Sequence, residues 1–300
     1  MTADANDAAA LRGDGSIDLP PTVARRLLEA FDRDGIDAGA WIAVMDLHRS
    51  LLRRAARDGD ICEFERQFRL LAAVRAKCRR EGWGGGGERR ARWRLVRSDL
   101  RDGCVVLGAS GQWPSARFLR AALRTALADR PASDCVPALL AGATQQVIVA
   151  GDAAGARRVL RILERDLCDA ESVLGAAPGH ATRCIECSEA LSARFGIDLR
   201  RTGLVRALCC GWLLHESSAC ALEAVDPLLV PCLGASRSER DAHAMALAIA
   251  AHAWHLLGDG HESERLTSMA RAAIGRGFLA RWSSRSACAV PIARLVSRRG

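Results

Sequence analysis

The side chains best suited to metal or redox chemistry are cysteines in the second half of the chain. Cys184 and Cys187 form a Cys-x-x-Cys pair, and Cys209, Cys210 and His215 follow. Two thiolates with two residues between them can bind Zn²⁺ tetrahedrally with a second pair of ligands from a neighbouring helix. The sequence therefore indicates Cys184, Cys187, Cys209 and His215 as candidate ligands of a structural zinc ion.

Two other interpretations of these thiols remain open. A Cys-x-x-Cys pair can be a redox pair. It can also be structural, because residues three apart in a predicted helix can both face the core, where a reduced cysteine packs like a small apolar residue. The chain contains 12 cysteines, and most of them lie in apolar segments. We therefore favour core-packing thiols over zinc, and zinc over redox chemistry, and we expect no other cofactor.

A second candidate site is a row of arginines between residues 88 and 101. Its members follow one another at spacings of four, three and four residues, which places them on one face of a helix. Trp93, Val96 and Leu100 form an apolar stripe on the same segment. A basic amphipathic helix can bind phosphates or an acidic protein, or it can be an ordinary surface helix with its apolar side on the core. The candidate binding residues are Arg90, Arg94, Arg97 and Arg101.

Composition and charge exclude a wholly disordered chain. Of the 300 residues, 49% are hydrophobic and 26% are charged, which is typical of globular proteins. The formal net charge is +8, and the stretch from Arg265 to Gly300 contains arginines but no acidic residue. A basic end of this kind can bind an anionic partner, or its charges can simply be solvated.

The sequence also carries expectations about location. No apolar run reaches the ~18 uncharged residues that a membrane-spanning helix needs. The first residues, MTADAND, are acidic and contain no apolar stretch, so we expect no signal peptide. These features favour a cytoplasmic protein without a transmembrane segment, in which cysteines are reduced and a disulfide framework is disfavoured.

Helical periodicity of apolar residues dominates the chain and predicts an all-α fold. The one strand that the pattern suggests is the short run 104–107. Gly84–Gly87 follow Trp83 in a stretch that the interior of a helix or strand would not tolerate, so we place a linker there. The predicted division is an N-terminal helical region (1–81), a glycine-rich linker (82–87), a helical domain (88–275) and a basic C-terminal segment (276–300).

Two segments pair helices around a glycine turn. In 138–167, Gly151 lies in the turn, and in 244–274 Gly258 does so. Both resemble the helix-turn-helix unit of tetratricopeptide-type repeats, in which small residues let two helices approach closely. The resemblance implies a helical-repeat array that binds partner proteins, and an irregular helical bundle is the alternative. The residues that carry the resemblance are Ala141, Ala143, Ala150, Ala156 and Leu160 in the first segment, and Trp254, Leu257, Met269 and Ala272 in the second.

We find no coherent set of catalytic residues in the sequence and therefore do not favour an enzyme. The function that these features favour is a non-catalytic adaptor or regulatory protein that binds other proteins through helical surfaces. The alternative is a nucleic-acid-binding regulator that uses the basic helix at 88–101 and the basic C-terminal segment. A helical metal-dependent enzyme is a third class.

Overall fold

The protein is all-α, as its apolar periodicity predicts. It divides into two compact units, Met1–Ala122 and Leu123–Gly300. No helix in the described part of the chain has the length and hydropathy needed to cross a bilayer. The computed structural model describes residues 39–128, 135–168, 180–197, 199–230, 236–282 and 286–297, and isolated positions before residue 39.

Unit 1 is built on a helical hairpin packed against a third helix. The ring of Phe64 and the side chains of Leu47, Leu71, Val96 and Leu100 are almost fully buried in it. These residues recur at helical spacing within their helices, so each helix has one apolar side to bury. The elements are β1 (Leu11–Arg12), β2 (Ser16–Ile17), α1 (Trp41–Asp58), α2 (Ile61–Arg80), α3 (Gly86–Ala109) and the first part of α4 (Ala116–Ala128), with β1 and β2 antiparallel.

The predicted strand at 104–107 is wrong, because these residues form part of α3. Cys104 and Leu107 are completely buried and continue the apolar side of α3 that Val96 and Leu100 begin. A short apolar run is equally compatible with a buried strand and with a buried helix. Periodicity alone therefore could not distinguish the strand from the helix. The apolar run is instead the C-terminal part of a 24-residue helix.

The structure also differs from the predicted division at 82–87. The first compact unit continues beyond this segment to Ala122, and Gly86 and Gly87 form the first turn of α3. Gly84 has a φ of 66°, and a Cβ atom there would lie 2.7 Å from the Trp41 ring. Trp41 is buried, so the glycine-rich segment is a packed connection between α2 and α3 at Gly84.

A buried network of ion pairs joins α1 to α3. The Arg49 side chain of α1 donates to Asp99 of α3 at 2.6 Å and to Asp46 of its own helix at 3.1 Å. Arg92 of α3 donates to Asp46 at 2.9 Å, and Arg53 lies 3.6 Å from Asp99. Burial raises the pKa of Asp99, and the charge of Arg49 opposes that rise. Arg49 therefore compensates two carboxylates that have been removed from water.

Unit 2 is centred on two helices, α8 and α10. α10 is buried on all sides between Ala244 and Ala251. Asp241, near its start, accepts hydrogen bonds from Arg281 at 2.6 Å and from the Trp282 indole at 2.9 Å. The elements are the end of α4, α5 (Val136–Val149), α6 (Ala153–Cys168), α7 (His180–Phe195), α8 (Leu199–Glu216), α9 (Ser218–Val225), a 3₁₀ turn (Asp226–Leu228), α10 (Arg237–Leu256), α11 (Gly260–Ala273), α12 (Phe278–Trp282) and α13 (Ser286–Ser297).

The same Gly-Asp turn connects three helix pairs, α1–α2, α5–α6 and α10–α11. Each glycine has a positive φ (75°, 62° and 88°), which ends the first helix in a left-handed residue. Each aspartate N–H donates to the carbonyl five residues earlier, and each carboxylate accepts the N–H three residues later. The carboxylate thus caps the second helix. The three turns are Gly59-Asp60, Gly151-Asp152 and Gly258-Asp259.

Two of these pairs coincide with the segments that resemble tetratricopeptide-type repeats. The third, α1–α2, belongs to unit 1 and was not among the segments singled out in the sequence. The fifth residue after each glycine is completely buried, although it is Phe64 in the first pair, Ala156 in the second and Ser263 in the third. The three helical pairs therefore share one turn geometry, but they differ in the side chain that is buried five residues after the glycine. The repeat type itself stays a prediction.

The ion network gives a first prediction about stability. Replacing Arg49 with Met should lower the free energy of unfolding by about 3–5 kcal/mol, because two carboxylates stay buried with one cation fewer. The matched control is Arg54→Met on the same helix, where the exposed pair with Asp58 should contribute less than about 1 kcal/mol. Urea unfolding followed by tryptophan fluorescence measures both. Equal losses in the two variants would contradict the role of Arg49.

The glycine-rich segment gives a second prediction. Gly84→Ala should destabilise the protein by at least about 1–2 kcal/mol, because the left-handed conformation is strained for an L-residue and the new methyl meets Trp41. Gly87 has nothing within 4 Å of its Cβ position and lies in a helix. Gly87→Ala should therefore stabilise by up to about 1 kcal/mol. Thermal melting of both variants checks the opposite signs, and a neutral Gly84→Ala would mean that the segment is a slack linker.

Candidate functional site

Three of the four arginines predicted to form a row lie exposed along one face of α3. Arg90, Arg94 and Arg97 are exposed, and within the described residues no hydrogen bond or ion pair joins them to another side chain. Arg101 differs, because its Nε donates to Asp102 at 2.7 Å and its side chain is only 12% exposed. A second N–H of Arg101 donates to Ser98. The row that can bind an anion therefore contains three members.

The other arginines of α3 serve the fold. Arg92 pairs with Asp46 in the buried network, and Arg89 donates to the backbone carbonyl of Trp83 at 2.9 Å. Of the apolar stripe, Val96 and Leu100 are buried in the core, whereas Trp93 is partly exposed. One helix thus carries arginines that anchor it on one flank and unpaired arginines that face water on another.

Trp93 connects the arginine row to α2. The guanidinium of Arg75 lies 4.2 Å from the centre of the Trp93 ring, a cation–π contact. Arg79 follows Arg75 by one helical turn on α2, and Arg97 follows Trp93 by one turn on α3, so both lie on the same faces as the contacting pair. Burial and the charges of Arg79 and Arg97 lower the pKa of Arg75. The guanidinium of Arg75 is therefore repelled by both Arg79 and Arg97.

We call Arg75, Arg79, Arg90, Arg94 and Arg97 the cationic surface. Its three members on α3 were predicted from the sequence, whereas the two on α2 were not. A usable signal existed, because Arg75 and Arg79 have the i, i+4 spacing of one helix face and precede a turn that folds α2 back on α3. What the sequence could not show is which side of α2 meets the row.

A row of aromatic rings supports the cationic surface from below. Trp93 packs on Phe68 with ring centres 5.9 Å apart, and Phe68 meets Phe118 edge to face at 5.5 Å. Arg69 lies over Phe118 at 5.8 Å and also pairs with Glu65 at 2.8 Å. These contacts hold the Trp93 ring in place, and the Arg75 guanidinium lies over that ring.

The candidate zinc ligands are only partly brought together. Cys184 and Cys187 lie on α7 and Cys209 on α8, and all three are buried. Cys209 lies beside Cys184, whereas Cys187 lies beside Thr144 of α5. The side chain of His215 lies outside the described residues. Among the residues that the structure describes, no three His, Cys, Asp or Glu side chains form a group that could hold a metal ion.

The environment of these thiols favours the protonated form. The hydrogen bond with Cys184 and burial raise the pKa of Cys209, and burial raises the pKa of Cys187. Burial also raises the pKa of Cys210 to about 12. A thiol must lose its proton to bind Zn²⁺ or to act as a nucleophile. The geometry of the three described thiols therefore supports core packing, and zinc binding involving His215 stays a prediction.

The basic C-terminal segment is partly helical and partly docked. Within 276–300, α12 and α13 bury Phe278, Ile292 and Leu295 in unit 2. Arg281 is held by Asp241, so at least one of its arginines serves the fold. Residues 283–285 and 298–300 lie outside the described part of the chain.

Comparison of this chain with known protein families, curated proteins and solved structures finds no match. The resemblance to tetratricopeptide-type hairpins is therefore neither supported nor contradicted by a relative. The cationic surface is the arrangement of described side chains with the clearest capacity to bind a ligand.

Thiol accessibility gives a third prediction. In the native protein at pH 8, iodoacetamide should alkylate the exposed Cys62 and Cys220 quickly, whereas Cys184, Cys209 and Cys210 should react only after unfolding. Peptide mapping by mass spectrometry measures the extent at each site. A zinc chelator should leave this pattern unchanged. If the chelator makes Cys184 and Cys209 reactive, then metal rather than packing protects them.

Proposed function

We propose that this chain is a non-catalytic interaction protein of the cytoplasm that binds an acidic segment of a partner protein through its cationic surface. The observation that carries the proposal is the row Arg90, Arg94 and Arg97, exposed on α3 with no acidic partner among the described residues. On this proposal the helical hairpins are a scaffold of repeat type that holds the surface rigid.

Local charge supports an anionic partner. Residues 61–102 contain twelve Lys or Arg and six Asp or Glu. Two of those acids, Glu63 and Glu65, already pair with Arg66 and Arg69 on α2, and Asp99 is buried with Arg49. Across the α2–α3 hairpin, Arg75 is repelled by Arg97, and a partner carboxylate would relieve that repulsion. Arginine suits this task because its planar fork binds a carboxylate through two parallel hydrogen bonds.

The rigidity of the hairpin supports binding as well. The surface stands on two helices that are joined by a packed turn and share a row of aromatic contacts. Guanidinium groups held on such a base lose less freedom on binding than groups on a loop, so more of the interaction energy appears as affinity.

The fourth prediction tests the row. The double variant Arg90→Gln, Arg94→Gln should weaken binding of a fluorescein-labelled, 12-residue Asp/Glu-rich peptide by about tenfold or more, the effect of losing two charge-assisted contacts. The matched control, Arg54→Gln with Arg66→Gln, removes the same charge from exposed arginines that already pair with carboxylates. Fluorescence anisotropy at 50 and 150 mM salt measures both. Equal weakening in the two variants would mean that only net charge matters, and no binding by the wild-type protein would end the proposal.

Nucleic acid is the second candidate partner, favoured by the linear arrangement of the row. Arg90 to Arg97 spans seven residues, or about 10 Å along the helix axis, so the three side chains can follow a phosphate backbone. If this holds, a 20-base-pair DNA should bind more tightly than the acidic peptide at equal salt. The Arg90→Gln, Arg94→Gln variant should then flatten the dependence of log K on log salt by about two units.

A further inference from the structure

We propose that the acidic partner segment binds as an amphipathic helix laid along the exposed side of α3, with its apolar residues on Leu95 and Val106 and its carboxylates on the arginine row. The inference rests on the proposed function, because it names the structure of the segment that the cationic surface binds. It adds an apolar contact area next to the row on the same helix.

The water-facing side of α3 carries two large apolar side chains. Leu95 is 40% exposed and Val106 is 45% exposed. They are eleven residues apart, or about three helical turns, so both lie on one face about 16 Å apart. Ala91 precedes Leu95 by four residues, Ala109 follows Val106 by three, and both alanines are exposed. We call these four residues the outer apolar face, which is about five turns long.

The core of unit 1 does not use this face. Val96, Leu100 and Leu107 are the large apolar residues of α3 that are buried, and they lie on the opposite side of the helix. α3 packs against α1 and α2, and the outer apolar face stays in contact with water. Single exposed apolar residues are common, whereas aligned ones with a charged border are typical of interaction sites.

The arginine row borders the outer apolar face along one edge. Arg94 is adjacent to Leu95 in the chain and lies about 100° around the helix from it, and Arg90 and Arg97 lie on the same flank. None of the three has an acidic partner among the described residues. An apolar strip with a positive border is complementary to a helix that has an apolar side and a neighbouring row of carboxylates.

The distribution of charge along α3 favours a protein helix over an anionic membrane. The row borders only the N-terminal half of the outer apolar face. Beside the other half, Asp102 is exposed and pairs with Arg101 at 2.7 Å, and no basic residue follows in α3. A membrane would meet this half without electrostatic attraction, whereas a partner helix can restrict its carboxylates to the half that meets the row.

Charge also argues against a second copy of this chain. Two α3 helices packed antiparallel on their outer apolar faces would bring equivalent flanks together, so the arginine row of one copy would lie against the row of the other. Like charges at such an interface are repulsive. A partner helix with acidic residues at these positions has the opposite, attractive contact.

The experiment compares two fluorescein-labelled 18-residue peptides of identical Leu, Ala and Glu composition. The amphipathic peptide has Leu at helical spacing along one side and Glu on one flank, and the scrambled peptide distributes both around the helix. The wild-type protein should bind the amphipathic peptide about tenfold more tightly at 150 mM salt, because only this peptide covers both Leu95 and Val106 with apolar side chains. Fluorescence anisotropy gives the ratio of the two dissociation constants.

Two double variants locate the effect. Leu95→Gln with Val106→Gln should bring the ratio close to one and leave binding of the scrambled peptide unchanged. Both positions are exposed, so the fold should be retained, and thermal melting checks this. The matched control is Val149→Gln with Leu257→Gln, the same two changes at exposed apolar residues of unit 2. It should leave the ratio unchanged.

A third peptide tests the helical conformation of the ligand. Proline in place of a central alanine on the outer side of the amphipathic peptide keeps every Leu and Glu but breaks the helix. This peptide should bind the wild-type protein at least about tenfold more weakly than its parent. Equal binding of the two would show that the segment does not bind as a helix and would overturn the proposal.

The outcomes separate the two proposals. A ratio near one in the wild-type protein, with binding that still depends on Arg90 and Arg94, overturns the docked helix and leaves the proposed function standing. Failure of the wild-type protein to bind either peptide overturns both. An equal loss of ratio in the Val149 and Leu257 control overturns the docked helix as well.

Two further measurements identify another occupant of the outer apolar face. Self-association of the free protein, measured by sedimentation, would assign the face to a second copy if Leu95→Gln with Val106→Gln abolished it. Co-sedimentation with phosphatidylserine vesicles that the same variant abolished would assign the face to a membrane. Either result would overturn the proposal.

Discussion

The position of Arg49 between Asp46 and Asp99 fixes how α3 is turned about its own axis. Asp99 and Arg92, on one flank of α3, can reach their partners only when that flank faces α1. Val96 and Leu100 then face the core, and Trp93 faces α2. Three sides of α3 thus face α1, the core and α2. The remaining side, which carries Arg90, Arg94 and Arg97, faces water. The cationic surface is therefore a consequence of a buried ion network on another side of the same helix.

The network also explains why arginines a few residues apart have different roles. Arg49, Arg53 and Arg92 surround two carboxylates, so their charges are compensated inside the fold. Burial by itself disfavours the ionised form of Asp99, and the neighbouring guanidinium groups make that form tolerable. The arginines of the cationic surface have no such partners among the described residues, so their mutual repulsion persists in the isolated protein. A ligand that neutralises them gains free energy in proportion to that repulsion.

Helical spacing predicted the all-α class and the face of α3 that carries its arginines, because both depend on a period that the sequence displays directly. It did not predict the fate of Arg101, which shares that face but is held by Asp102 and Ser98. Nor could spacing show that Cys104 and Leu107 continue a helix, because the same run of apolar residues can form either a buried strand or a buried helix. The Gly-Asp turn at Gly59 carried a readable signal, whereas the approach of Gly84 to Trp41 depends on tertiary contacts.

The difference between Arg101 and Arg97 shows what defines a binding residue in an arginine-rich chain. Lys77 is the single lysine among 43 basic residues, so the presence of an arginine carries little information about function here. The informative property is whether the fold supplies an acceptor for the guanidinium. Arg101 has acceptors in Asp102 and Ser98, while Arg97 has none among the described residues and is repelled by Arg75. Repulsion among like charges destabilises the folded hairpin. An anionic ligand that binds the folded hairpin relieves this repulsion, which adds to the binding affinity. Because the ligand binds only the folded state, it also stabilises the fold.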